Sequence, residues 1–105
     1  MCAMRQLSEL NKQGMRACAE KDWNNAEFLL TQALNQGIAI GSNVLEAKLR
    51  NNIGIMYTLS GRHQEAHVHF SSALDKLTTK IGKKGKFYHV LCDNIQKNTL
   101  RINTK

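Results

Sequence analysis

The stretch Gly54–Leu74, GIMYTLSGRHQEAHVHFSSAL, decides how this chain is read. Tyr57 follows Gly54 by three residues, and Ser60-Gly61 then breaks the pattern. Beyond the break, Ala66, Phe70, Ala73, Leu74 and Leu77 recur at threes and fours. That is the period of a helix face, not the alternation of a strand. Two helices joined by a glycine turn are expected, with small residues where they cross and large ones filling the space around them.

Moved back by 40 residues, the stretch falls on a second copy of itself. Gly54 lands on Gly14, Ala66 on Ala26, Ala73 on Ala33, Leu74 on Leu34, and Asn51 on Asn11. Phe70 lands on Leu30, and Ser71 on Thr31. The identities are few, but they fall where helices must approach closely. A unit stacked on its own copy is therefore expected.

The remaining apolar spacing gives five helices, at roughly 4–20, 23–38, 43–59, 63–79 and 86–102. Asp22 is expected to cap the second, and Ser42 or Asn43 the third. The chain lacks proline, in keeping with helices throughout. Its 105 residues form one domain with a modest core. Cys2, Cys18 and Cys92 are too few and too scattered for a disulfide framework, which points to a reducing, cytoplasmic setting. The start of the chain has no signal-like apolar run, and no stretch is long enough to form a transmembrane segment.

The paired helices resemble the tetratricopeptide repeat. The second copy carries that pattern at Gly54, Tyr57, Gly61, Ala66, Phe70, Ala73 and Leu74. The first carries it at Gly14, Trp23, Ala26, Leu30, Ala33 and Leu34, with Ala17 in place of the aromatic and Lys21 in place of the turn glycine. The closing proline is missing and the period is 40 residues rather than about 34, as in long-helix variants of the family. The resemblance implies an all-α superhelix over 1–105, with repeat one at about 5–41 and repeat two at about 43–80. The segment at about 86–102 would be a capping helix, or half of a degenerate third repeat.

Enzymatic signatures are missing. The sequence has no GxSxG, no phosphate-binding loop and no GxGxxG, so neither catalysis nor a cofactor is expected. His63 and His67 stand four apart, a spacing that suits zinc, but no Cys, Asp or Glu shares their face. The plainer expectation is that His63 fills the aromatic slot behind the turn while His67 and His69 are solvated.

In the family, the first helix of each pair lines a concave groove that takes a partner peptide. Carried over residue by residue, this implies that Asn52, two before Gly54, holds a peptide backbone through its amide. Asn51, Asn11 and Lys12 would stand beside it, Met15 and Ile55 would form an apolar floor, and Lys48 would lie one turn below Asn52. The subset that clamps acidic C-termini is only partly matched. Asn52 fits, whereas Asn11 and Met15 occupy the places of its first-repeat Lys and Asn.

The charge is uneven. Residues 1–79 carry a net +1, whereas 80–105 carry +6 of the chain's +7. Lys80, Lys83, Lys84 and Lys86 cluster in a loop, and Lys97, Arg101 and Lys105 recur every four residues along the last helix, opposite Phe87, Leu91 and Ile95. Such a basic face either keeps the end of the stack soluble or attracts an acidic protein, nucleic acid or lipid. Only Phe87 and Tyr88 could stack on bases, so nucleic acid is the weaker reading. The expected function is that of an adaptor binding an acidic protein or peptide through Asn11, Lys12, Met15, Lys48, Asn51, Asn52, Ile55, Lys97 and Arg101. The alternative is a homodimeric structural unit joined through the fifth helix, because two repeats are few for a stable stack.

Overall fold

The computed structural model describes residues 3–83 and 85–103; Cys2, Lys84, Lys105 and the side chain of Lys80 lie outside the described set. The fold is all-α. Its helices are α1 (Ala3–Ala19), α2 (Trp23–Ile40), α3 (Asn43–Leu59), α4 (His63–Ile81) and α5 (Lys86–Asn103). Each helix packs mainly on its neighbours in sequence, and α3 also touches both α1 and α5. Thus α1, α3 and α5 form one layer, and α2 and α4 the other. The slab they make measures 46 × 34 × 18 Å.

The 40-residue relation is built into the packing. A Cβ placed on Gly14 would lie 2.7 Å from the Leu30 side chain, and one on Gly54 would lie 2.5 Å from the Phe70 ring. Both distances are far below contact, so α2 crosses α1, and α4 crosses α3, through a space only glycine leaves open. Ala26, Ala33, Ala66 and Ala73 are fully buried along the same crossings. Ile53, Met56, Leu77 and Leu91 complete the core, and Leu91 brings α5 into it.

The two intra-pair turns are also copies. The Asp22 amide donates to the Ala17 carbonyl at 2.9 Å, and the Arg62 amide to the Tyr57 carbonyl at 2.8 Å. Each closure needs a left-handed residue before it, supplied by Gly61 (φ 85°) in one turn and Lys21 (φ 62°) in the other. Asp22 holds the N-cap position of α2 as expected, and this closure explains why it does so without a side-chain bond. With its amide held by Ala17, Asp22 takes φ −87° and ψ 74°, and its side chain makes no capping bond. Arg62 takes nearly the same backbone, φ −95° and ψ 68°. Ser42 does cap α3, its Oγ accepting from the Leu45 amide at 3.2 Å.

A polar network ties the pairs together behind these turns. The Tyr57 hydroxyl donates to Glu27 of α2 at 2.7 Å. Arg62 reaches the same carboxylate at 2.9 Å, bonds Glu65, and lies 4.5 Å above the Tyr57 ring. Burial, and then the bond to Glu27, push the Tyr57 hydroxyl up to about 12. The bond from Tyr57, helped by Arg62, holds Glu27 below its usual range.

His69 belongs to this network, which corrects the expectation that it is solvated. It is half-buried, with its ring 5.5 Å from that of Tyr57 and its Nδ1 3.2 Å from an Arg50 nitrogen. Arginine can only donate, so Nδ1 accepts and the neutral ring carries its proton on Nε2. His67, by contrast, is exposed.

Two predictions follow from these turns and this network. Lys21→Gly relieves the left-handed lysine, and is expected to raise stability by about 0.5–1 kcal/mol, whereas Gly61→Lys lowers it by about 1–2 kcal/mol. Urea unfolding midpoints measure both. Burial, and then Arg50, lower the proton affinity of His69 from its ordinary value near 6.5. Below that value the unfolded chain takes up the proton first, so stability falls as the pH drops. Glu65 and Glu27 also face His69, and their own loss comes only at more acid pH, below the ordinary carboxyl value of 4.5. The thermal midpoint is expected to fall between about pH 7 and pH 5.5, and His69→Gln to flatten that slope.

Candidate partner-binding groove

The layer of α1, α3 and α5 is joined edge to edge by asparagines. Asn52 of α3 donates through Nδ2 to Oδ1 of Asn11 on α1 at 2.9 Å. Asn94 of α5 donates in the same way to Asn51 of α3 at 2.8 Å. Asn11 and Asn51 are the 40-residue equivalents, so each pair offers one acceptor to the next first helix. An amide suits this task because it donates and accepts at once.

These bonds sort the expected site residues. Asn51 is only 8 % exposed and serves as an anchor for α5, so it does not present a free amide to a groove. Asn11 acts as an orienting acceptor. Asn52 is half-buried, with one amide hydrogen spent on Asn11 and its Oδ1 taking no partner among the described residues. Its second amide hydrogen and its Oδ1 form the donor–acceptor pair that suits a peptide backbone. Lys12 and Lys48 are exposed, and Met15 and Ile55 are half-buried against the core.

Between α3 and α5 the surface sinks into a depression of about 170 Å³. Ile55, Leu59 and Phe70 supply apolar lining, and Lys97 and Arg101 stand on the α5 side. The structure thus brings together Ile55, Lys97 and Arg101, expected from separate stretches of the sequence. Lys97 is paired with Asp93 at 3.0 Å. By helical spacing, Lys48, Asn52, Ile55 and Leu59 form one stripe of α3. Lys12 and Met15 continue the face on α1, outside the depression itself.

Leu59, Asn94 and Asn98 were not among the expected residues. Leu59 lines the depression yet is 58 % exposed, and it sits one turn beyond Ile55. Asn98 is 1 % exposed. Its Nδ2 donates to the His63 carbonyl at 2.8 Å, and its Oδ1 accepts from His63 Nδ1 at 3.2 Å, with the Thr58 hydroxyl 3.5 Å away. His63 therefore does stand behind the turn, but as a partner of Asn98. A signal for Asn98 exists in the sequence: it interrupts the apolar stripe Leu91, Ile95 and Ile102 at the helical position between them. Among the described residues, no cluster of His, Cys, Asp or Glu could hold a metal ion, and no helix is long and apolar enough to cross a membrane.

Compared with protein-family models, curated proteins and solved structures, the chain matches none. The chemistry of the groove rests on its own residues: an apolar floor, the half-buried amide of Asn52, and cations at the rim.

Asn98→Ala is expected to lower stability by about 1–3 kcal/mol, because it removes both bonds to His63 and empties a fully buried site. The loss should be local at first. Amide hydrogen exchange is expected to quicken across 86–103 while α2 and α3 remain protected.

Proposed function

We propose that this chain is a tetratricopeptide-like interaction module whose inner layer, α1, α3 and α5, holds an extended acidic segment of a partner protein. One observation carries the reading: Lys12, Lys48, Lys97 and Arg101 stand along its inner stripes, where Asp93, paired with Lys97, is the acid beside them, and these cations flank an apolar floor of Met15, Ile55 and Leu59. A segment that alternates aliphatic and carboxylate side chains complements both features. Asn52 would fix the segment's register through its backbone, and Asn11 would hold the Asn52 amide in position. The basic α5 then serves as a wall of the groove as well as a cap.

The test is a displayed library of peptides, acidic and basic, panned against the full chain, with affinities of the selected peptides measured by fluorescence anisotropy. Acidic peptides with aliphatic anchors are expected, binding more weakly as salt rises. Asn52→Ala and the pair Lys97→Glu, Arg101→Glu should each weaken binding about tenfold, or roughly 1.4 kcal/mol, with the helical circular dichroism retained. Selection of basic peptides, or affinities indifferent to Asn52, Lys97 and Arg101, overturns the reading. So does tighter binding of a nucleic-acid oligomer at the same residues.

A further inference from the structure

Helix α5 packs on α4 and touches α3, just as α3 packs on α2 and touches α1. The 40-residue relation therefore extends to α5, and it marks one difference. Tyr57 of α3 is 7 % exposed and belongs to the core, with the Arg62 guanidinium 4.5 Å above its ring and the His69 ring 5.5 Å away. Forty residues on stands Lys97, whose side chain is 68 % exposed and paired with Asp93. The chain thus places a ring at this point of α3 and none at the same point of α5.

The depression of about 170 Å³ opens beside Lys97. An apolar cavity of roughly 150 Å³ takes one benzene ring. Ile55 and Leu59 of α3 and the Phe70 ring of α4 line the depression. The amides and the hydroxyl around it already bond within the chain. Asn98 bonds His63, Asn94 donates to Asn51, and the Thr58 hydroxyl donates to the Gly54 carbonyl at 2.9 Å. A polar occupant gains little from groups so engaged, whereas a ring meets Phe70 and two aliphatic side chains. Lys97 and Arg101 stand on the α5 side, where a cation can lie over a ring face and a carboxylate beside the ring meets opposite charge.

We propose that this depression takes one aromatic side chain of the partner, with a carboxylate next to it, at the point of α5 that corresponds to Tyr57 of α3. The proposal rests on the groove reading above and adds a specificity to it. Aliphatic anchors lie along α1 and α3, and a single ring seats against α5.

Two small acids test the depression by itself. Phenylpropanoate has a ring and a carboxylate; hexanoate has the carboxylate without the ring. Each is titrated into the full isotope-labelled chain at constant ionic strength, and the amide NMR signals are followed. Phenylpropanoate is expected to move the signals of Ile55, Leu59 and Lys97 and to dissociate at roughly millimolar concentration, as suits so small a ligand. It should bind at least about fivefold tighter than hexanoate. Lys97→Tyr supplies the missing ring and should abolish that preference. Lys97→Gln removes the charge but leaves the place open, and should retain the preference. Leu59→Asp, at an exposed lining residue, should weaken phenylpropanoate at least about fivefold, with helical circular dichroism retained in all three variants. Equal binding of the two acids, signals that move only elsewhere, or a preference that survives Lys97→Tyr overturns the proposal. Acidic peptides that bind no better with an aromatic residue at any position overturn the proposal alone and leave the groove reading standing. If acidic peptides do not bind at all, the groove reading falls and the proposal with it.

Discussion

The structure depends on two close helix crossings. At Gly14 and at Gly54 one helix passes so near its partner that Leu30 or Phe70 occupies the space a side chain would need. Glycine in a helix interior costs about 1 kcal/mol against alanine, so its presence at both of these crossings is explained by packing and not by propensity. Once the crossings are set, the alanines at 26, 33, 66 and 73 are buried. The large side chains then interlock, and the turn between each pair must close in the same tight way.

That turn shows how local chemistry gives way to geometry. Asp22 has the identity of a cap residue, and residue type alone assigns it that role. The backbone it joins is fixed by the crossing before it and the closure onto Ala17, and the carboxylate is left without a capping bond. Lys21 bears the same constraint from the other side, adopting a conformation that its equivalent, Gly61, adopts without strain. The two copies share a fold while differing in how well each residue suits it.

The five helices were legible because their apolar spacing is a local signal, and α3 runs from 43 to 59 as that spacing indicates. Polar placement was less legible. Asn51 and Asn52 are neighbours of one type, yet successive residues on a helix point some 100° apart. One binds α5 and the other reaches α1. Nothing in the local sequence distinguishes them, since their partners are about 40 residues away in opposite directions. His69 escaped for a similar reason: its burial comes from Tyr57 and Arg50 on another helix. Asn98 could have been found, because a polar residue inside an apolar stripe marks a buried bond.

The sequential packing of the helices has a consequence for how the chain acquires its structure. Most contacts join helices adjacent along the backbone, so few long loops must close before the core begins to form. Such topologies lie at the fast end of folding rates. The α1–α2 hairpin is complete by residue 40 and needs nothing downstream to cross its own helices. It can therefore collapse during synthesis, while α5 is still to be made. The last helix docks onto a prepared surface, and the bonds of Asn94 and Asn98 fix its register when it arrives.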